Sequence, residues 1–280
     1  MPPPGVVRAA SRAPATYDPV MTETPEPARL GRYAGLITPG EPCDFEYGGF
    51  PTPEGNWVFR EPDAVVVVEH DRLRVAAVPL TRSNDRVQIL DNAKNMLFSR
   101  RRILVPAEGE MRVAVEMRAR VVRGDDDDLY AGFVSINLLD LASGLALDWF
   151  VASRKAATVY ARLRFPGVTA DPDPTTEDPA RPRWFCVFNE TAAPEEAWAL
   201  HRYEIAYDPG AGVVRWLRDG VEVDRHEQVP VRAEAFVVAL GMITEKPIGV
   251  NGSVSLQGQG IGAEWSEVLV YGAAVDPPTG

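Results

Sequence analysis

The chain has 280 residues, 45% of them hydrophobic and 25% charged, with a formal net charge of -11 at pH 7. That length is enough for a sizeable core in one domain or two, and the diffuse acidity argues against nucleic acid or an anionic membrane as a partner. Two cysteines, Cys43 and Cys186, show no C-x-x-C spacing, so the expectation is two free thiols in a reducing compartment and no metal site.

Residues 1–30 are rich in Pro, Ala and Thr and read as a disordered N-terminal arm, ahead of a single domain over 31–280. The arm has no apolar run of signal-peptide length, and no stretch reaches the roughly 18 apolar residues of a membrane span. The expected location is the cytoplasm.

Short apolar runs of period two follow, broken by Gly, Pro, Asp and Asn. "DAVVVVEHDRLRVAAVPL" holds two strands around a turn at His70–Asp71. "LFSRRRILV", "GEMRVAVEMRARVV", "LYAGFVSINLLDL", "LALDWFVAS", "ATVYARLRF" and "RWFCVFN" come next. The acidic run Asp125–Asp128 reads as a solvated hairpin tip, because the alternating ligand spacing of a calcium loop is missing. Residues 167–183 are Pro- and Asp-rich, a long loop that is either mobile or a lid.

"HRYEIAYDPGAGVVRWLRDGVEVDRHEQV" is the clearest hairpin series, with turns at Asp208-Pro209-Gly210 and Asp219-Gly220. "FVVALGMI", "SVSLQG" and "EWSEVLVYG" finish the chain, and "PEEAWALH" could form one short helical turn. Many short strands with regular turns predict an all-β sandwich or barrel.

The order of these pieces resembles the concanavalin A-like lectin/glucanase sandwich over roughly residues 44–272, with "RWLRDGVEV" similar to its Trp-x-x-Asp-Gly hairpin. The resemblance implies a jelly roll of two antiparallel sheets whose concave outer face binds ligand. Four longer strings, "TRSNDRVQILDNAKNMLFS", "GFVSINLLDLASGLALDWFVAS", "ATVYARLRFPG" and "ALGMITEKPIGVNGSVSLQGQGIGAEWS", resemble an actinobacterial family labelled as a domain of unknown function. Some of its members are similar to dehydratase/cyclases of aromatic polyketide tailoring. That implies a small-molecule aromatic polyketide substrate and closure of a pyran or bridged ketal.

Within "SGLALDWFVAS" an acid interrupts an apolar strand. Side chains alternate across a strand, so Leu145, Leu147, Trp149 and Val151 suit the core while Asp148 and Phe150 face the groove. The same parity puts Phe133, Ser135 and Asn137 on the groove, and Thr158, Tyr160 and Arg162 with them. Glycoside hydrolysis usually needs two carboxylates, yet Ala146 and Phe150 occupy the positions two residues from Asp148.

A lone acid among apolar groups suits general acid/base work, with Tyr160 and Arg162 to stabilise oxyanion character and Asn137 to orient. A structural ion pair between Asp148 and Arg162 is the competing reading. Gln88, Asp91 and Asn92 supply a polar rim or a second acid, or else a capped turn. Trp184 and Lys246 are further rim candidates, and Cys186 shares the parity of Trp184. His70, His201 and His226 fall at turns or strand starts. No triad, phosphate loop, nucleotide fingerprint or metal cluster is legible, so the chemistry is expected to need no cofactor. A sugar-binding module without catalysis and a carrier of polyketide intermediates remain the alternatives.

Overall fold

The structure is a computed structural model. It describes residues 26–30, 33, 57–59, 64–69, 71–80, 93–163, 165, 167–168, 184–191, 196, 198–244 and 258–277. Its strands in chain order are β1 (Ala28–Arg29), β2 (Trp57–Phe59), β3 (Val65–Glu69), β4 (Arg72–Ala77), β5 (Ala93–Leu104) and β6 (Met111–Val122). Then come β7 (Phe133–Leu139), β8 (Leu145–Val151), β9 (Ala156–Arg162), β10 (Phe185–Thr191), β11 (His201–Asp208) and β12 (Val213–Arg218). The last are β13 (Val221–Glu227), β14 (Ala235–Thr244), β15 (Gly260–Ser266), β16 (Leu269–Tyr271) and β17 (Ala274–Val275). Among the described residues no helix is long and apolar enough to cross a membrane.

Two antiparallel sheets form a β-sandwich. One runs β13-β12-β11-β6-β15-β4-β3, with β16 and β1 attached beside β6; the other runs β10-β9-β8-β7-β14-β5-β17, with β2 on β5. The expected turns are present. Asp208 Oδ1 accepts from the amides of Gly210 and Ala211, and Asp219 (φ 51°) with Gly220 (φ 79°) closes β12 onto β13 in the left-handed geometry that tight hairpins require.

The first sheet is two-sided in the ordinary way. Along β6, Met111, Val113, Val115, Met117, Ala119 and Val121 are buried in the core. Among the alternate residues, Arg112, Glu116, Arg118 and Arg120 put charge on the outer face, where Glu264 sits within reach of Arg72, Arg74 and Arg118. The second sheet is apolar on both sides. β7 and β9 are buried at every position and β8 at all but one, so these strands separate two hydrophobic layers.

Two tryptophans tie the sheets together through the inner layer. Trp149 on β8 donates its indole N–H to the Glu204 carbonyl on β11 at 3.0 Å, and Trp216 on β12 donates to the Asp148 carbonyl on β8 at 3.0 Å. Both rings are fully buried. Each N–H buried without a partner would cost about 1–3 kcal/mol, so the reciprocal bonds fix β8 against the opposite sheet.

Two sequence expectations need correcting here. Asp125–Asp128 is not a hairpin tip but the crossing from β6 in one sheet to β7 in the other. Its carboxylates close their own turn: Asp125 Oδ1 accepts from the Asp127 amide, and Asp128 Oδ1 caps a single 3₁₀ turn, Leu129–Ala131. "PEEAWALH" contributes a turn closed by the Ala199 amide on the Glu196 carbonyl at 3.2 Å. The last residues of the proposed arm belong to the fold, since Ala28 and Arg29 pair with β16 and Leu30 is buried. The string "SVSLQG" lies outside the described residues except for Gly258.

Candidate active site on the outer face of the eight-stranded sheet

Pairing register defines the outer face without ambiguity, because directly opposed residues in an antiparallel ladder share a face. One row across the sheet reads Ala239, Asn137, Asp148, Val159, Phe188. The row to one side reads Gly241, Ser135, Phe150, Ala157, Glu190, and the row to the other reads Val237, Leu139, Ala146, Ala161, Cys186. Asp148 therefore stands among short side chains. Alanines at 146, 157, 161 and 239 line the same face around it.

The backbone of Asp148 is clamped from the core side by Trp216, while its side chain projects to the other side. Asp148 is 5% exposed, and its Oδ1 is buried with no hydrogen-bond partner. Burial raises its pKa well above the ordinary carboxylate value. Glu264, on the outer face of the other sheet, is equally buried and behaves in the opposite way. Burial pushes its carboxyl up too, but the hydrogen bonds and charges of Arg118 and Arg74 outweigh it and hold the group below its usual range. The contrast isolates what is unusual about Asp148: among the described residues, a buried acid without a compensating donor or cation.

Asn137, directly opposite Asp148, is fixed by its amide nitrogen, which donates to Ser135 Oγ at 2.9 Å and to the Ala239 carbonyl at 2.8 Å. Ser135 is fully buried and reaches its position because residue 241 is glycine. A Cβ there would lie 2.5 Å from Ser135 Oγ and 2.7 Å from Met96 Sδ. An aromatic arc borders the polar row. Phe133 and Phe150 stack at 4.2 Å, Phe150 meets Phe188 at 6.2 Å, and Phe188 stacks on Tyr130 at 5.9 Å. The arc runs from buried Phe133 to exposed Tyr130.

The structure thus brings together five of the sequence candidates: Asp148, Asn137, Ser135, Phe133 and Phe150. It removes three. Thr158, Tyr160 and Arg162 are opposite Trp149, Leu147 and Leu145 in the β8–β9 ladder, so they face the other sheet, and β9 has the reverse parity of the sequence assignment. The reason is that both faces of β9 are buried, so polarity no longer marks the outside. Its polar side bonds instead to the rim of the opposing sheet. Thr158 Oγ1 donates to Asp224 Oδ2 on β13, and the Tyr160 ring packs 5.1 Å from His226.

The Arg162 side chain donates to the Ser143 carbonyl at 2.9 Å and lies 4.7 Å from the Trp184 ring, which places Trp184 as its cation–π partner. An Asp148–Arg162 ion pair is ruled out by their opposite faces. Gln88, Asp91, Asn92 and Lys246 lie outside the described residues.

Two members of the face went unassigned in the sequence. Phe188 stands in the Asp148 row, and Gly241 makes room for Ser135; a fixed register for β10 and β14 would have located both. Cys186 is exposed on the same face, and burial together with the Asp148 charge raises its thiol pKa.

A family model, the family of unknown function DUF6081, matches residues 42–273. The chain belongs to that family. No match is found among curated protein sequences. Among solved structures the chain is similar to a sialidase, at 15% identity and a TM-score of 0.44, covering 77% of this chain but only 17% of the sialidase. It is also similar to LamAcat from Zobellia galactanivorans, at 11% identity and TM-score 0.46 over 74% of this chain and 79% of that one. A third is the endo-beta-1,4-glucuronan lyase from the fungus Trichoderma reesei, at 13% identity and TM-score 0.46 over 78% and 88%.

Proposed function

We propose that the protein is a dehydratase/cyclase that works without a cofactor and uses Asp148 as its general acid and base. The observation that carries this reading is the buried, partnerless Oδ1 of a carboxyl whose pKa is raised by its apolar surroundings. Such a group keeps its proton to higher pH than an ordinary carboxyl and can exchange it with a substrate.

The reaction begins with a hydroxy-ketone held at the small part of Asp148 that reaches the surface. Asp148 gives its proton to the ketone oxygen as the substrate hydroxyl attacks the carbonyl carbon. The carboxylate so formed takes the proton of the attacking oxygen, leaving a cyclic hemiketal and a neutral acid. Asp148 then protonates the hemiketal hydroxyl, which leaves as water. Loss of a neighbouring C–H proton to the carboxylate gives the pyran, and capture by a second substrate hydroxyl gives the bridged ketal. Asn137, opposite Asp148, has both amide N–H groups committed to Ser135 and Ala239, so its Oδ1 is the atom left to accept from a substrate hydroxyl, and holding a flexible chain in its ring-forming pose supplies the proximity term.

An apolar aromatic substrate suits the half-buried Phe150 and Phe188, and an aromatic polyketide intermediate has this chemistry. Hydrolysis of a glycoside fits less well. On this face the other described carboxylate is Glu190 at the edge, 3.4 Å from Lys155 and half exposed.

The test is single-turnover conversion of a hydroxy-ketone aromatic polyketide intermediate by wild type and Asp148→Asn, with binding measured in parallel. Cyclised product from wild type, lost in the variant with binding retained, is the expected result. Turnover by both proteins would remove Asp148 from the chemistry. Binding by both without turnover would make the protein a carrier.

A further inference from the structure

The two ends of the nine-stranded sheet are built differently. β13 ends it on one side with Glu222, Asp224, Arg225, His226 and Glu227, the charged edge that keeps strands from pairing with strangers. β3 ends it on the other side with four consecutive valines and, among the described residues, pairs with β4 alone. Val65, Val67 and Val68 are 66%, 46% and 38% exposed. An apolar edge strand with one free side is a template for another strand.

We infer that β3 is a self-association edge, pairing antiparallel with β3 of a second copy about a two-fold axis at Val67. Charge supports this occupant. In a chain of net charge -11, the ladder end holds Glu69 and Asp71 against Arg72 and Arg74, two of each sign, and Glu69 is already 3.3 Å from its own Arg74. The acidic repulsion that opposes a dimer elsewhere is therefore locally absent.

Charge also selects the direction. A parallel arrangement sets Glu69 against Glu69 of the second copy. The antiparallel one separates them by four residues, about 13 Å at the rise of a strand. It also matches the apolar groups by face. Val67 meets its own symmetry mate on the outer side, and Val66 meets Val68 on the inner side, next to the core that Val66 already touches. A five-residue ladder buries less area than a stable dimer interface, so the association is weak and concentration-dependent.

Sedimentation velocity of the full chain from about 5 to 300 µM, the range of weak interfaces, tests this. The expected result is a sedimentation coefficient that climbs toward the dimer value. Val67→Lys, with unchanged circular dichroism and melting temperature, abolishes the climb. In a chain with Cys43 and Cys186 replaced by Ser, Val67→Cys oxidises to a covalent dimer. Val65→Cys does not, because its symmetry mate is beyond disulfide reach. A monomer throughout that range, association that survives Val67→Lys, or equal cross-linking of both cysteine variants would overturn the proposal. The first of these would leave the edge to a different chain.

Discussion

Replacing Asp148 with Asn removes the charge that the outer face of the eight-stranded sheet cannot solvate, and the consequence is a specific pH dependence. The carboxyl has a raised pKa in the fold because it is buried with Oδ1 unpartnered. In the unfolded chain it titrates near 3.8. Between that value and the folded pKa, the unfolded chain has released the proton and the folded chain still holds it. Folding stability in this window falls as pH rises, by up to about 1.4 kcal/mol per pH unit, and becomes flat above the folded pKa. Below 3.8 the contribution is complete.

The Asn variant lacks this slope while every other group titrates as before. Urea unfolding of both proteins between pH 3 and 9, followed by tryptophan fluorescence, gives the difference. The variant gains on wild type with rising pH, and the gain levels off at the folded pKa of Asp148. A difference independent of pH, or one that favours wild type as pH rises, would refute the reasoning. It would mean that the carboxylate is paired or hydrated in solution.

Two further outcomes follow from the core side of the same strands. Tyr160 points away from Asp148 and its hydroxyl is buried without a partner, so Tyr160→Phe retains turnover and is as stable as wild type or about 1 kcal/mol more so, as read by urea unfolding. Loss of turnover with folding intact would restore Tyr160 to the chemistry. Trp216→Phe removes the bond to the Asp148 carbonyl and part of a fully buried ring, and costs about 2–4 kcal/mol in the same measurement. Its turnover falls further than that of an equally destabilised core variant such as Ile205→Ala, because β8 loses its anchor.

The strands and their turns were legible because each rests on local chemistry. Alternation along β6, the valine run of β3 and the Asp-Gly turn after β12 all carry their signal within a few residues. Asp148 could be singled out for the same reason: β8 is otherwise apolar, so one acid stands out, and the neighbouring parity of β7 and β8 followed.

β9 could not be read this way. Alternation reports which side faces water, and neither side of β9 does. Only its ladder with β8 shows that Tyr160 lies opposite Leu147 and belongs to the inner layer. The partnerless state of Asp148, the Trp216 clamp 68 residues along the chain, and the placing of Phe188 in its row are likewise properties of pairing between distant segments. Sequence fixes which groups exist and on which strand they sit. Long-range register decides which of them meet, because burial on both faces erases the local pattern that would otherwise reveal it.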